Sequence, residues 1–73
     1  MSELGHNDAA TMYEKAAEEL ARAAEHLRTA ARHMREREVP RACAHAFAAQ
    51  GHVANHQDQV TAAAKLHAAK STP

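Results

Sequence analysis

Three consecutive segments of seven residues repeat one pattern in the first half of the chain. They read AAEELAR, AAEHLRT and AARHMRE, and they begin at Ala16, Ala23 and Ala30. In the same frame, large residues recur every seven positions, at Tyr13, Leu20, Leu27 and Met34. Because sustained heptads keep one side of a helix against a partner helix, the repeat predicts α-helices packed side by side with a slight left-handed twist. The alanine pairs between the large residues allow a close approach.

The internal proline, Pro40, divides the chain in two. Proline ends a preceding helix and suits the first turn of the next one. We therefore expect one helix from about residue 8 to 37 and a second from about 40 to 70, with frayed ends at 1–7 and 71–73. A capping-box pattern at Thr11 is an alternative start for the first helix. So short a connection predicts an antiparallel helical hairpin, all-α in class, as a single domain over residues 1–73.

The second helix has a weaker seven-residue series that is complementary to the first. The pairs Met34 with Ala46, Leu27 with Val53, Leu20 with Val60 and Tyr13 with His67 all have residue numbers that sum to 80. A constant sum is what two antiparallel helices require when the turn lies near residue 39 or 40. These pairs are accordingly expected to be the core layers of the hairpin.

The composition limits how stable one hairpin can be. Twenty of the 73 residues are alanine, the aromatic residues are Tyr13 and Phe47, and there is no isoleucine or tryptophan. At about 25 cal/mol per Å² of buried apolar surface, such a core barely offsets an ordering cost of about 1.5 kcal/mol per residue. The single cysteine, Cys43, cannot form an internal disulfide. We therefore expect a homodimer that closes into a four-helix bundle, a bound metal, or both.

Seven histidines are the unusual feature of this composition. His26 and His33 are seven apart on the first helix, and so are His45 and His52 on the second. His33 with His45 and His26 with His52 have numbers that sum to 78, so both sets are expected to form a ladder across the hairpin. His56, four residues after His52, is expected to join His26 and His52. Imidazole favours zinc, copper, nickel or cobalt over calcium or magnesium, so the predicted metal ligands are His26, His52, His56, His33 and His45.

Other readings of these residues remain open. The histidines of the ladder are equally typical of solvated spacers, and His56 of a space-filling residue beside Ala23 and Ala24. His67 is expected to form a structural hydrogen-bonding pair with Tyr13, and His6 to have no specific role. Cys43 is interpreted as a small buried hydrophobe. Gly51 indicates a kink or a close helix crossing.

Several function classes are disfavoured. Nine basic residues balance nine acidic ones, which argues against a polyanion-binding tail. The arginines near the hairpin tip are diluted by glutamates, so nucleic-acid binding is not expected. No apolar run approaches the roughly 20 residues of a membrane span, and the start has no signal-peptide pattern. A single thiol suits a reducing interior, so we expect a cytoplasmic protein. Catalytic motifs are scarce, and no small-molecule substrate is indicated, so we expect no enzyme.

Three segments carry a resemblance to a family. Ala-Ala-Glu-His at 23–26, Glu-Lys-Ala-Ala at 14–17 and Ala-His-Ala-Phe-Ala-Ala-Gln-Gly-His at 44–52 resemble the short His- and Ala-rich helical proteins of proteobacteria. The similarity covers roughly Tyr13 to Ala69, and this chain has Leu20 and Leu27 where the family often has histidine. The resemblance implies metal handling. The alternative is a structural or protein-interaction module whose histidines are incidental.

Overall fold

The computed structural model describes residues 3–71, with side chains from His6 onward. Helix α1 covers Glu3–Arg35 and helix α2 covers Val39–Lys70, and the two pack as a hairpin. The molecule is a slab with principal extents of 54 × 20 × 12 Å. A slab this thin is a single layer of two helices, so nearly every side chain outside the line of helix contact reaches the surface.

Helix α1 is longer at its start than the sequence indicates. It begins at Glu3, so the expected frayed segment 3–7 is helical and Thr11 lies inside the helix. His6, which was expected in this tail, is an exposed residue of α1. The helix ends at Arg35, two residues before the expected end, because the chain reverses there. Residues 1–2 and 72–73 lie outside the described residues.

The reversal is a C-terminal capping turn. Arg37 has a φ of 61°, its N–H donates to the Met34 carbonyl at 3.0 Å, and the Glu38 N–H donates to the His33 carbonyl at 2.8 Å. These paired bonds define the Schellman motif, whose left-handed residue is usually glycine. Arginine there has a Cβ penalty of roughly 1 kcal/mol. The hydrophobic contact that usually accompanies the motif is replaced by a bond of 3.1 Å between His33 Nδ1 and Glu38 Oε2.

Helix α2 starts where the proline predicts. Val39 and Pro40 occupy its first turn, where a missing N–H costs nothing, and the Ala42 N–H donates to the Glu38 carbonyl at 3.0 Å. The helix ends at Lys70, after which the Ser71 N–H bonds the Ala68 carbonyl at 3.2 Å. The antiparallel hairpin itself is thus confirmed.

The core of the hairpin consists of alanine alone. Each of six alanines is at most 9% exposed, and among residues 6–71 no large side chain is fully buried. We name these six the alanine seam: Ala16, Ala23, Ala30, Ala42, Ala49 and Ala63. The expected core layers were wrong, because Tyr13, Leu20, Leu27 and Met34 are between 44% and 58% exposed. Close contact between small residues brings the backbones together and leaves the larger side chains beside the seam.

The seam has two different flanks. Residues three and four positions after a seam alanine lie on opposite sides of it, because a helical turn has 3.6 residues. On α1 the third position gives Glu19, His26 and His33, and the fourth gives Leu20, Leu27 and Met34. After Ala42 and Ala49 on α2, the third position gives His45 and His52, and the fourth gives Ala46 and Val53; after Ala63 the order is reversed, with Leu66 third and His67 fourth. In the half of the hairpin nearer the turn, antiparallel packing therefore collects histidines on one flank and large apolar residues on the other.

Three smaller expectations also change. Cys43 is exposed and not buried. Gly51 has nothing within 4 Å of an added Cβ, so it marks no close crossing inside the hairpin. Tyr13 and His67 are both exposed, and no hydrogen bond joins them in the part of the chain whose side chains are described.

Candidate functional site

Two pairs of stacked imidazoles lie across the hairpin. His33 and His45 have ring centroids 5.5 Å apart with planes inclined by 20°, and His26 and His52 have centroids 5.3 Å apart at 15°. These are the two pairs whose residue numbers sum to 78. We name the four residues the imidazole ladder. The rings reach each other because the alanine seam holds the two helices close together.

A hydrogen bond joins the two stacked pairs. His26 Nδ1 lies 3.0 Å from His45 Nδ1, with the ring centroids 5.2 Å apart. A neutral imidazole donates from one nitrogen and accepts at the other, so one Nδ1 carries the hydrogen and the other offers its lone pair. The pair therefore shares one proton between two nitrogens. The same geometry offers two Nδ1 lone pairs to a cation that replaces that proton.

A carboxylate closes each end of the ladder. His52 Nδ1 donates to Glu19 Oε2 at 2.6 Å, and His33 Nδ1 donates to Glu38 Oε2 at 3.1 Å. Each carboxylate oxygen accepts a second bond, from Asn55 Nδ2 at 3.4 Å on Glu19 and from Arg41 Nη1 at 3.2 Å on Glu38. The column thus runs from one carboxylate through four rings to the other, with its outer rings fixed in orientation.

The contact with His52 changes the acidity of Glu19. The hydrogen bond from His52 is the main cause that lowers the pKa of the Glu19 carboxyl below its ordinary value of 4.5. Partial burial opposes this effect, and the bond from Asn55 adds a smaller lowering. Both side chains of the pair are 23% exposed. Glu19 is therefore held in its ionised form, in which it accepts the N–H of His52.

His56 lies outside the ladder. It occupies the seam position between Ala49 and Ala63 in the seven-residue series, and its Nδ1 is buried without a hydrogen-bond partner. The structure places His45, and not His56, in bonding contact with His26. The expected trio of His26, His52 and His56 is thus replaced by a contact chain from His45 through His26 to His52. The four other predicted ligands all belong to the ladder.

Sequence reasoning missed the two carboxylates as site residues. Glu19 occupies the same heptad position as His26 and His33, which is the signal that locates it on the histidine flank. Glu38 carries no such signal, because it lies in the turn, and its position follows from the Schellman geometry. In the described part of the chain, one group of three side chains has ligand atoms all within 4.8 Å of one another: His33, Glu36 and Glu38.

The donor set matches late transition metals. A tetrahedral zinc ion with Zn–N bonds of about 2.0–2.1 Å separates its nitrogen ligands by about 3.3 Å. The 3.0 Å between Nδ1 of His26 and Nδ1 of His45 is close to that separation. Histidine ligands of metals commonly donate their second N–H to a carboxylate. His33 and His52 already do so, which leaves Nε2 of each as the free ring nitrogen.

Comparison with known proteins gives no relative for this chain. No family model, no curated protein and no solved structure matches it. Between residues 3 and 71, neither helix is long and apolar enough to cross a membrane.

Proposed function

We propose that this chain is a small non-enzymatic helical protein that binds one late transition-metal ion per hairpin through the imidazole ladder. The observation that carries the proposal is the 3.0 Å distance between Nδ1 of His26 and Nδ1 of His45. Two nitrogens from different helices converge there on one point. An ion bound at this point replaces a shared proton and joins α1 to α2.

The rest of the ladder supports the same function. Glu19 and Glu38 orient His52 and His33, as carboxylates orient histidine ligands in metalloproteins. The nitrogen-rich set favours zinc, copper, nickel or cobalt over magnesium or calcium, which prefer oxygen ligands. His26, His45 and His52 also lie in the segments that resemble the His- and Ala-rich proteins of proteobacteria, for which metal handling is expected.

The test is a calorimetric titration of metal-free protein with each of these four metals. We expect stoichiometric binding, and a loss of at least about tenfold in affinity for His45→Ala, since that change removes one of two converging nitrogens. His56→Ala is the matched control, because it removes a histidine of the same helix that lies outside the ladder. Circular dichroism verifies that both variants remain helical. Equal losses in the two variants, or no stoichiometric binding by the parent, would overturn the proposal.

The alternative function is a protein-interaction module with incidental histidines. The observation in its favour is the row of exposed large hydrophobic residues on the other flank of the seam. The two functions are compatible, and we propose that the hairpin acts as a homodimer closing into a four-helix bundle. We assign it to a reducing cytoplasmic environment, where its exposed lone thiol, Cys43, stays reduced.

A further inference from the structure

One flank of the alanine seam exposes a row of large apolar side chains along the hairpin. We name it the apolar flank, and its exposed fractions are 58% for Tyr13, 44% for Leu20, 53% for Leu27, 50% for Met34, 83% for Phe47 and 40% for Val53. These residues include the only two aromatic side chains of the sequence. Contiguous apolar surface of this kind marks an interaction site in a small protein.

The total exposed surface is larger than that of a compact monomer of the same mass. The chain exposes 5517 Å², whereas a compact monomer of 7.9 kDa exposes roughly 4,400 Å² by the usual scaling with mass. The excess of about 1,100 Å² exceeds the roughly 800 Å² that each partner contributes to a standard stable interface. Since the seam buries only alanine, the hairpin lacks a core of large apolar side chains. One interface of ordinary size on the apolar flank supplies it.

The charge pattern restricts the occupant of this flank. From Ala42 to Gln57, helix α2 has no aspartate, glutamate, lysine or arginine. The residues of α1 on the apolar flank, Tyr13, Leu20, Leu27 and Met34, are also uncharged, while Arg28 and Arg35 occupy on α1 the heptad position that Phe47 occupies on α2. The centre of the flank therefore offers no charge to pair with a nucleic acid or a charged peptide. The occupant must present a similarly uncharged apolar surface.

The flank contains both a projecting side chain and a groove to receive one. A groove of about 460 Å³ lies between the helices, and the largely exposed Phe47 is one of its lining residues. Its other lining residues are Leu27, Cys43, Ala46, Ala49, Gln50 and Val53. A surface that carries both complementary features can pack against itself about a two-fold axis, as isologous dimers do.

We propose that a second copy of this chain covers the apolar flank, so that Phe47 of each copy enters the groove of the other. This arrangement rests on the homodimer of the proposed function and specifies which face forms it. It directs both imidazole ladders outward, on the two outer faces of a four-helix bundle. Each ladder then binds its ion independently, with one ion per chain.

The first experiment compares two substitutions to glutamate on α2. Phe47→Glu places a charge in the interface, and Ala44→Glu places the same charge on an exposed residue outside the apolar flank. Sedimentation equilibrium at micromolar concentration should show dimers for the parent and for Ala44→Glu. For Phe47→Glu we expect dimer affinity to fall by at least about tenfold, since aromatic anchors dominate such interfaces. Metal titration of the same samples should be unchanged, because the ladders lie on the opposite flank.

The native thiol gives a second measurement that needs no substitution. Cys43 lines the groove and is exposed in a single hairpin, so the dimer should shield it. Its reaction rate with a thiol reagent should fall as parent concentration rises through dimerisation. If the parent is dimeric while Cys43 stays reactive and Phe47→Glu stays dimeric, this face is wrong but the homodimer stands. A parent that is monomeric throughout overturns both the face and the homodimer, while the metal titration still tests the ladder separately.

Discussion

The flank of the seam that carries the imidazole ladder, which we call the imidazole flank, and the apolar flank are formed by the same two helices. They differ in how many of their side chains find partners within one chain. On the imidazole flank, side chains of α1 bond those of α2, and the outer rings are held by Glu19 and Glu38. On the apolar flank, Leu27 remains 53% exposed and Phe47 remains 83% exposed. The side chains of one flank bond each other within a single hairpin, and the large side chains of the other flank remain exposed.

The difference follows from the alanine seam. Small seam residues let the helices approach until polar side chains on one flank meet across the gap. The same approach leaves no room for leucine between the helices, so the larger residues turn outward. The chain thereby separates its two proposed tasks, with metal binding on one flank and assembly on the other.

The largest expected effect comes from widening the seam. Ala49 is 2% exposed, and Ala49→Leu adds three carbons within the buried seam between the helices. We expect the free energy of unfolding to fall by about 2–3 kcal/mol, because overpacked cores must shift side chains and backbone. A wider seam should also separate the side chains that meet across it in the imidazole ladder, so metal affinity should fall as well. Chemical denaturation measures the first effect and calorimetry the second.

Ala44→Leu is the matched control, since Ala44 is an exposed residue of the same helix that lies outside the apolar flank. It should change stability by less than about 0.5 kcal/mol. If Ala49→Leu is as stable as the control, the seam is not the closest contact of the helices, and the division into two flanks is wrong.

The sequence predicts the fold and the pairing of the ladder because both depend on periodicity. Heptads and Pro40 define the antiparallel hairpin, and the constant sum of 78 pairs His33 with His45 and His26 with His52. Periodicity does not decide which series is buried. The large residues lie beside the seam, four positions after its alanines, so hydrophobicity favours burial of Leu27 whereas close packing of the helices buries Ala23.

The carboxylate at the turn end of the ladder depends on the conformation of the turn, which the heptad pattern does not predict. Glu38 reaches His33 because Arg37 adopts a left-handed conformation, and nothing in the residue type of Arg37 indicates it. His56 presents the opposite case. Its spacing of four from His52 indicates a shared ligand face, whereas its place in the seam series assigns it to the packed interior. The spacing of four from His52 and the seven-residue seam series thus give different positions for His56, and the structure agrees with the seam series.

A smaller effect should distinguish the seam histidine from those of the ladder. His56 Nδ1 is buried without a partner, and an unsatisfied buried polar atom costs about 1–3 kcal/mol. His56→Leu keeps most of the bulk and removes that atom. We expect the free energy of unfolding to rise by about 1 kcal/mol, with metal affinity unchanged. His45→Leu, on the imidazole flank, should instead lower metal affinity by at least about tenfold, as His45→Ala does. A loss of stability in His56→Leu would show that the imidazole does more than fill the seam.

The smallest expected effect concerns acid and the carboxylate end of the ladder. The hydrogen bond from His52 lowers the pKa of Glu19 in the fold below its ordinary value of 4.5, so the unfolded chain binds the proton more tightly. The resulting stabilisation is complete above pH 4.5 and is lost as the pH falls through the lowered folded value.

Glutamine cannot ionise, so Glu19→Gln should be less stable than the parent above pH 4.5, and the difference in stability should narrow in acid. Denaturation of metal-free protein above and below that pH measures the difference. Glu18→Gln is the control, because Glu18 has a side chain that is 65% exposed and pairs with Arg22 at 3.4 Å instead of with a ladder histidine. The parent and Glu19→Gln could instead differ in free energy of unfolding by the same amount at both pH values. In that case ionisation of Glu19 does not stabilise the fold, and its side chain serves only as a hydrogen-bond acceptor.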